Sequence, residues 1–280
     1  MISLRTKALK FALKTIEPFQ DRLNRIYLFK KAFQLLYDKF APDEWILVEV
    51  EGVKMYVNTR DRAISRFILQ QGCYEKGTTK VFKNVVKEGM TVIDIGACFG
   101  YYSLIAASLV GKEGRVFAFE PHPFNYEWLI KNIHLNGFRN IFPYKKAVAD
   151  KKGIAKLFCT NDIVGHSIIS RQTSVKIIEV ETISLKEFLE ENRILPDVIK
   201  MDIEGAENDV IRDLKKKIEE MDNLMIFLEA EHINRETFSF LNKHFQLYYI
   251  QTNGQLHPFN SQSNEEGDFE EKILCVKREL

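Results

Sequence analysis

Cysteine is scarce and scattered. The chain has four among 280 residues, at 73, 98, 159 and 275. No two stand at Cys-x-x-Cys or zinc-finger spacing, so neither a metal knuckle nor a disulfide framework is indicated. No apolar run approaches the roughly 20 residues of a membrane-spanning helix. An excess of one charge is also missing. Lys and Arg number 40 against 39 Asp and Glu, a net charge of +1, which argues against a general nucleic-acid binder. The first residues hold no apolar core followed by a small-residue cleavage site, so a reducing, cytoplasmic setting is the expectation. The remaining composition, 45% hydrophobic and 28% charged, is that of an ordinary globular chain. The length suffices for one large domain with extensions.

The stretch that organises the rest is Val92-Ile-Asp-Ile-Gly-Ala-Cys-Phe-Gly-Tyr101. A short β-rich run ends in Asp94, glycines follow at 96 and 100, and a helical pattern then runs to about Val110. This predicts a strand over 91–95, a tight turn and a helix. Glycine lets such a turn pass close to a ligand. A second apolar run, 116–119, ends in Glu120, placed where an acid can accept both hydroxyls of a ribose. Prolines 121 and 123 precede a helix over 124–135, which Asn136-Gly137 stops. A third strand covers 141–144. Runs at 154–159 and 174–180 suggest either an inserted hairpin or a loop beside the ligand. Ser184 caps a helix over 185–190, with Glu187 completing a capping box.

A strand over 198–201 then ends in Asp202-Ile-Glu-Gly-Ala-Glu207, and a helix follows over 208–218. Another strand, 224–228, ends in Glu229, followed by a helix over 235–241 and strands at 245–250 and 273–276. Five βα steps followed by two terminal strands predict an α/β, Rossmann-like, doubly wound fold. Its sheet is mostly parallel and seven-stranded, with an antiparallel edge strand. The main domain is expected over 71–280.

Residues 1–70 form an extension. Eight Lys/Arg face two acids among the first 35 residues, and apolar residues recur at helical spacing. The pattern reads as one or two basic amphipathic helices, broken near Pro18. Such a segment can pack on its own domain or on a second copy of the chain, or lie peripherally on an anionic membrane. Runs at 45–50 and 53–57 around Glu51-Gly52 read as a β-hairpin.

In an open α/β sheet, ligands bind beyond the carboxyl ends of the strands. Asp94, Glu120, Asp202 and Glu229 each follow a strand, so four acids rim one crevice. Carboxylates repel a pyrophosphate but suit a ligand with a sulfonium, an ammonium and ribose hydroxyls. The turn also lacks the Gly-x-Gly step of a dinucleotide fingerprint. Both facts favour S-adenosylmethionine over a nicotinamide cofactor. A nicotinamide-dependent oxidoreductase and a non-catalytic Rossmann-like scaffold are the alternatives.

The ordered set of motifs resembles the FkbM-type class I S-adenosylmethionine-dependent methyltransferases. It comprises residues 92–103, Gly114-Arg-Val-Phe-Ala-Phe-Glu-Pro121, Asn132 with Asn136-Gly137, Lys145-Lys-Ala-Val-Ala-Asp150, and Lys200-Met-Asp-Ile-Glu-Gly-Ala-Glu207. Glu229 and His232 resemble the acid and histidine near the family's fifth strand. The likeness covers about 71–247. It implies a hydroxyl acceptor on a small molecule, a sugar or a lipid-linked glycan. Cys98 stands where the family usually has Asn, which removes a side-chain contact from the turn; the thiol is read as buried and inert.

Asp94 orders the turn or reaches the methionine amine, while Gly96, Ala97 and Gly100 form the turn itself. Glu120 binds the ribose. Pro121 and His122 shape the adenine edge, as do Lys146 and Ala147, although Lys146 can equally be a solvated surface charge. Asp202 lies between cofactor and acceptor. Asp202, Glu204, Glu229 and His232 are the candidate catalytic groups, and His232 is either a base or structural. No metal is assigned: Asp202 and Glu229 could converge on a hard cation, but the spacing alone is weak.

Overall fold

The computed structural model describes residues 3, 7, 42–160, 166–169, 175–259 and 269–277. The chain divides into two units, Met1–Tyr74 and Glu75–Leu280. The predicted amphipathic helices of residues 1–35 lie outside the described residues. No helix among the described residues is long and apolar enough to cross a membrane.

In the first unit, β1 (Trp45–Val50) and β2 (Val53–Asn58) form the predicted hairpin, paired antiparallel from Trp45–Asn58 to Val50–Val53. Glu51 and Gly52 both take positive φ, at 50° and 83°, as a two-residue hairpin turn with the sheet's own twist requires. Helix α1 (Ile64–Gln71) follows and ends at Gly72 in the left-handed conformation.

The second unit opens with α2 (Lys76–Val85) and β3 (Thr91–Ile95). Then come α3 (Tyr101–Val110), β4 (Arg115–Phe119), α4 (Pro123–Asn136), β5 (Ile141–Tyr144) and β6 (Ala147–Ala149). A hairpin of β7 (Gly153–Cys159) and β8 (Lys176–Ser184) precedes α5 (Leu185–Asn192) and β9 (Val198–Met201). The chain continues through α6 (Glu207–Glu219), β10 (Met225–Glu229), α7 (Arg235–His244) and β11 (Phe245–Gln251). It closes with β12 (Leu256–Pro258) and β13 (Phe269–Lys277).

Eight of the described strands form the main sheet, in the order β12-β11-β13-β10-β9-β3-β4-β5. Strands β10, β9, β3, β4 and β5 pair in parallel. The predicted mostly parallel sheet is therefore present, but with eight strands instead of the seven expected, because the short β12 adds to it, and with the last strand inside the sheet instead of at its edge. The short β12 is the antiparallel edge, and β13 is a second antiparallel strand inserted between β10 and β11.

Strand order runs outward from β3 to β5 and resumes on the other side of β3 with β9. The carboxyl ends of β3 and β9 thus flank a topological switch point, where open α/β sheets bind ligands. The core beside it is packed by α5 and α6. Val210, Ile211, Leu214 and Ile218 recur at helical spacing on α6 and are fully buried, each stabilising the fold by about 1.5–3 kcal/mol. Strands β6, β8 and β7 make a separate three-stranded sheet. Of the two alternatives for this region, the hairpin is what forms, with β7 and β8 paired from Gly153–Thr182 to Cys159–Lys176. The Ser184 cap is also present, accepting from Glu187 N at 3.1 Å.

Candidate active site

The turn after β3 is held by backbone geometry. Gly96, Cys98 and Gly100 take φ of 82°, 50° and 94°. The amides of Gly96 and Ala97 both donate to the Phe119 carbonyl, at 2.9 and 3.0 Å. A Cβ on Gly96 would collide with the Asp202 carbonyl oxygen, and one on Gly100 would lie 2.6 Å from Leu129 Cδ1. The space these glycines vacate is therefore filled by the protein itself. They bring the β3 turn against the β9 turn and against α4, and only through that do they shape a cleft.

Asp94 and Glu120 are buried at the ends of adjacent strands, at 1% and 5% exposure. Asp94 Oδ2 accepts from Ser103 Oγ at 2.5 Å, while Oδ1 is buried with no partner. Burial raises its pKa, only partly offset by Lys200 and the Ser103 bond. Glu120 accepts from the Cys98 amide at 2.9 Å and the His122 amide at 2.8 Å, one on each oxygen. Burial pushes its pKa up to about 7 against those two bonds. Each oxygen keeps a further lone pair, so the carboxylate can accept two ribose hydroxyls.

His122 precedes α4 and sits over His166, with ring centroids 4.3 Å apart. Burial lowers the pKa of both, that of His166 to about 4. His122 Nδ1 is a buried atom with no hydrogen-bond partner. Two imidazoles whose charged forms burial disfavours thus stand next to the half-buried Pro121, on the side assigned to adenine. Lys146 and Ala147 are placed otherwise. Lys146 pairs with Glu181 at 3.2 Å, and Ala147 begins β6 and packs with Leu157, Cys159 and Val180.

The acceptor side is built by register. Asp94 pairs with Lys200 across β3 and β9, and Glu229 pairs with Lys272 across β10 and β13. Lys200 Nζ lies 2.8 Å from Asp202 Oδ2 and 4.8 Å from the Tyr102 ring centroid. Lys272 Nζ reaches Glu229 Oε1 at 2.5 Å, Asp202 Oδ2 at 3.2 Å and Glu75 Oε1 at 3.5 Å. The Tyr102 hydroxyl donates to the other Glu75 oxygen at 2.7 Å. Burial works against the charge of Asp202, but Lys200 and Lys272 more than reverse it and hold its carboxyl well below the usual range. Burial likewise opposes the charge of Lys272, yet Asp202, Glu75 and Glu229 raise its pKa far above normal. Glu229 goes the other way: burial and the Asp202 charge lift it to about 7 despite Lys272.

The turn carrying Glu204 is fixed from two sides. Fully buried Glu207 accepts from the Ile203 and Gly205 amides at 3.0 and 2.8 Å. Ser167 Oγ donates to the Glu204 carbonyl at 2.9 Å. Glu204 itself takes φ 59°, a conformation few non-glycine residues hold without such support. His232 lies on the loop after β10, where Asn208 Nδ2 donates to its carbonyl at 2.6 Å. Its Nε2 stands 3.1 Å from Glu229 Oε2 and 3.9 Å from Glu204 Oε2. The structure thus brings Asp202, Glu204, Glu229 and His232 together.

Sequence reasoning left Lys200, Lys272, Glu75, Tyr102, Glu207 and His166 without a role. Lys200 had a signal, being the one charged residue inside the apolar run Val-Ile-Lys-Met. Lys272 had none, because it follows an acidic stretch and meets Glu229 only through strand pairing.

A doubly wound sheet with acids at the ends of β3, β4, β9 and β10 and no pyrophosphate-binding step defines a class I, Rossmann-like methyltransferase domain. The family model described as "Methyltransferase FkbM domain" matches residues 94–254, more than half of the chain. The chain belongs to that family, and this domain takes S-adenosylmethionine as cofactor. It is 32% identical over 130 residues to an uncharacterized protein of Methanocaldococcus jannaschii, covering 39% of this chain. The chain spans 49%, about half, of that relative's length. Among solved structures it is similar to a putative rRNA-methylase from Clostridium thermocellum, with 17% identity and a TM-score of 0.44, covering 72% of this chain and 94% of the other. It is also similar to a methyltransferase FkbM from Methylobacillus flagellatus KT, with 15% identity and a TM-score of 0.43, covering 75% and 52%.

Proposed function

We propose that the protein transfers the methyl group of S-adenosylmethionine to a hydroxyl oxygen of a small molecule or glycan. The observation that carries this reading is the Glu204, Glu229 and His232 cluster, set beside Asp202 at the switch point next to Asp94 and Glu120. A hydroxyl is a poor nucleophile until its proton has somewhere to go, and this cluster supplies polar groups that can take it.

In the reaction, a lone pair on the acceptor oxygen attacks the methyl carbon in line with the carbon–sulfur bond. S-adenosylmethionine would supply the electrophilic methyl group: a C–O bond would form as the C–S bond breaks, with the electron pair left on sulfur in S-adenosylhomocysteine. The hydroxyl proton passes to the cluster. Glu120 would hold the ribose, and Asp94, whose Oδ1 is buried without a partner, would take the cofactor's ammonium directly or through water. The Lys200, Asp202 and Lys272 network fixes the floor on which cofactor and acceptor align.

Calorimetry with S-adenosylmethionine, followed by transfer of isotopically labelled methyl to a panel of hydroxylated small molecules and glycans, tests this. The expected products are methyl ethers, identified by NMR. Label found only on nitrogen or carbon, or no cofactor binding by the folded protein, overturns the reading. His232→Ala should keep cofactor affinity and lose turnover.

A further inference from the structure

The acceptor end of the cleft holds three side chains whose ligand atoms, one from each, all lie within 4.8 Å of one another: Glu204, Glu229 and His232. Two atoms bound side by side to one ion at about 2.1 Å stand roughly 3.0 Å apart. His232 Nε2 and Glu229 Oε2 are already at that separation, 3.1 Å. Glu204 Oε2, at 3.9 Å from the same nitrogen, needs to close by roughly 1 Å.

Proximity is not the main argument. Glu229 Oε2 and His232 Nε2 are both buried atoms, and neither has a hydrogen-bond partner, although they face each other. The Glu229 side chain is only 9% exposed, and its other oxygen is taken by Lys272. Burying such atoms without partners is costly. With the imidazole proton on Nδ1, both atoms direct lone pairs into the same space. A cation there satisfies both at once.

Charge points the same way. Carboxylates of Glu75, Asp202, Glu204, Glu229 and Glu231 crowd this end, with Glu231 Oε1 at 3.6 Å from His232 Nε2. Among the described residues, Lys200 and Lys272 are the cations paired with acids of this network. The donor set of one imidazole and two carboxylates suits a first-row transition ion better than calcium or magnesium, which favour all-oxygen sites.

We propose that Glu204, Glu229 and His232 bind one divalent first-row transition ion. Three protein donors leave positions open for the acceptor's hydroxyl oxygen. The ion acidifies that hydroxyl, whose proton leaves to bulk water before the oxygen attacks the methyl carbon. In the metal-loaded protein the cluster therefore holds the ion instead of taking the proton. This catalytic role rests on the methyl-transfer reading; the ion site itself does not.

The test is Mn2+ binding to the full chain, stripped with chelator and exchanged into metal-free buffer. Binding is followed by calorimetry, and the bound ion by pulsed electron paramagnetic resonance. About one tight Mn2+ per chain is expected, with nitrogen hyperfine coupling from an imidazole. Glu204→Gln should weaken binding at least tenfold, and His232→Ala should abolish the nitrogen coupling. No binding by the folded wild type, wild-type affinity in Glu204→Gln, or coupling that persists in His232→Ala each overturns the site. Should His232→Ala not fold, the wild-type spectrum and Glu204→Gln still decide. Cofactor calorimetry on the same metal-free sample separates the two readings. Cofactor binding without Mn2+ binding removes the ion site alone, and Mn2+ binding without cofactor binding removes methyl transfer alone.

Discussion

The two halves of the cleft treat their acids in opposite ways. At the ends of β3 and β4, Asp94 and Glu120 are buried with no ion pair among the described residues, and burial raises both pKa values. At the ends of β9 and β10, Asp202 and Glu229 are buried against Lys200 and Lys272. The first pair awaits charge and hydroxyls from outside the chain, as a cofactor-binding surface must. The second is neutralised from within, so its geometry is set before any ligand arrives. A buried carboxylate oxygen without an internal partner, such as Asp94 Oδ1 or Glu229 Oε2, marks where a ligand supplies one, whereas an oxygen held by an internal lysine marks framework.

Removing the internal cation should have the largest effect. Lys272→Met strands Glu229 and takes one cationic partner from Asp202 and from Glu75, and should lower stability by about 3–5 kcal/mol in urea unfolding. A loss below about 1 kcal/mol would mean that the acceptor half is not held by its charges. Next, Gly96→Ala drives a Cβ into the Asp202 carbonyl at a positive φ. It should cost about 1–3 kcal/mol and weaken both halves together, since this contact joins them.

On the cofactor half, Glu120→Ala should weaken S-adenosylmethionine binding by roughly 1–3 kcal/mol in calorimetry, with little change in the Lys272 network. Binding at wild-type strength would end the assignment of Glu120 to the ribose. The same residue carries a pH signature. Its folded pKa, about 7, lies above the ordinary 4.5, so its neutral form is favoured in the free protein. Its contribution to stability is therefore present below the ordinary value and is lost as pH rises through about 7. Cofactor binding runs the other way, because hydroxyls donate to the ionised carboxylate. Affinity should fall as pH drops from 8 to 6, and Glu120→Gln should flatten that profile. Smallest of all, Arg212→Ala removes a solvated i,i+3 pair with Asp209 and should shift stability by about 0.5 kcal/mol or less. A larger shift would blur the line drawn here between buried and solvated charge.

Much of this was legible in the chain. The strands 91–95, 141–144 and 198–201 fall where their apolar runs predicted; 91–95 and 198–201 are buried on both faces, which is why a parallel strand there is mostly apolar. Acids at strand ends were legible for the complementary reason: a charge directly after such a run marks the rim. The role of Gly96 was only half legible. Its permissive backbone was predictable, but the atom occupying its missing side chain, the Asp202 carbonyl, lies on a distant turn. Lys146 and Ala147 follow a strand end just as Glu120 does, yet the three-stranded sheet takes them up, and nothing local distinguishes the two cases.

The sequence by itself determined the βα alternation, the four rim acids and the family, because each depends on patterns within a few residues or on their order along the chain. Tertiary structure alone decided which acids are neutralised. That depends on β13 entering antiparallel between β10 and β11, which sets Lys272 opposite Glu229. It also decided that Glu204, Glu229 and His232 share one space. Charges interact through distance in space, and strand register, which no local pattern encodes, is what sets that distance.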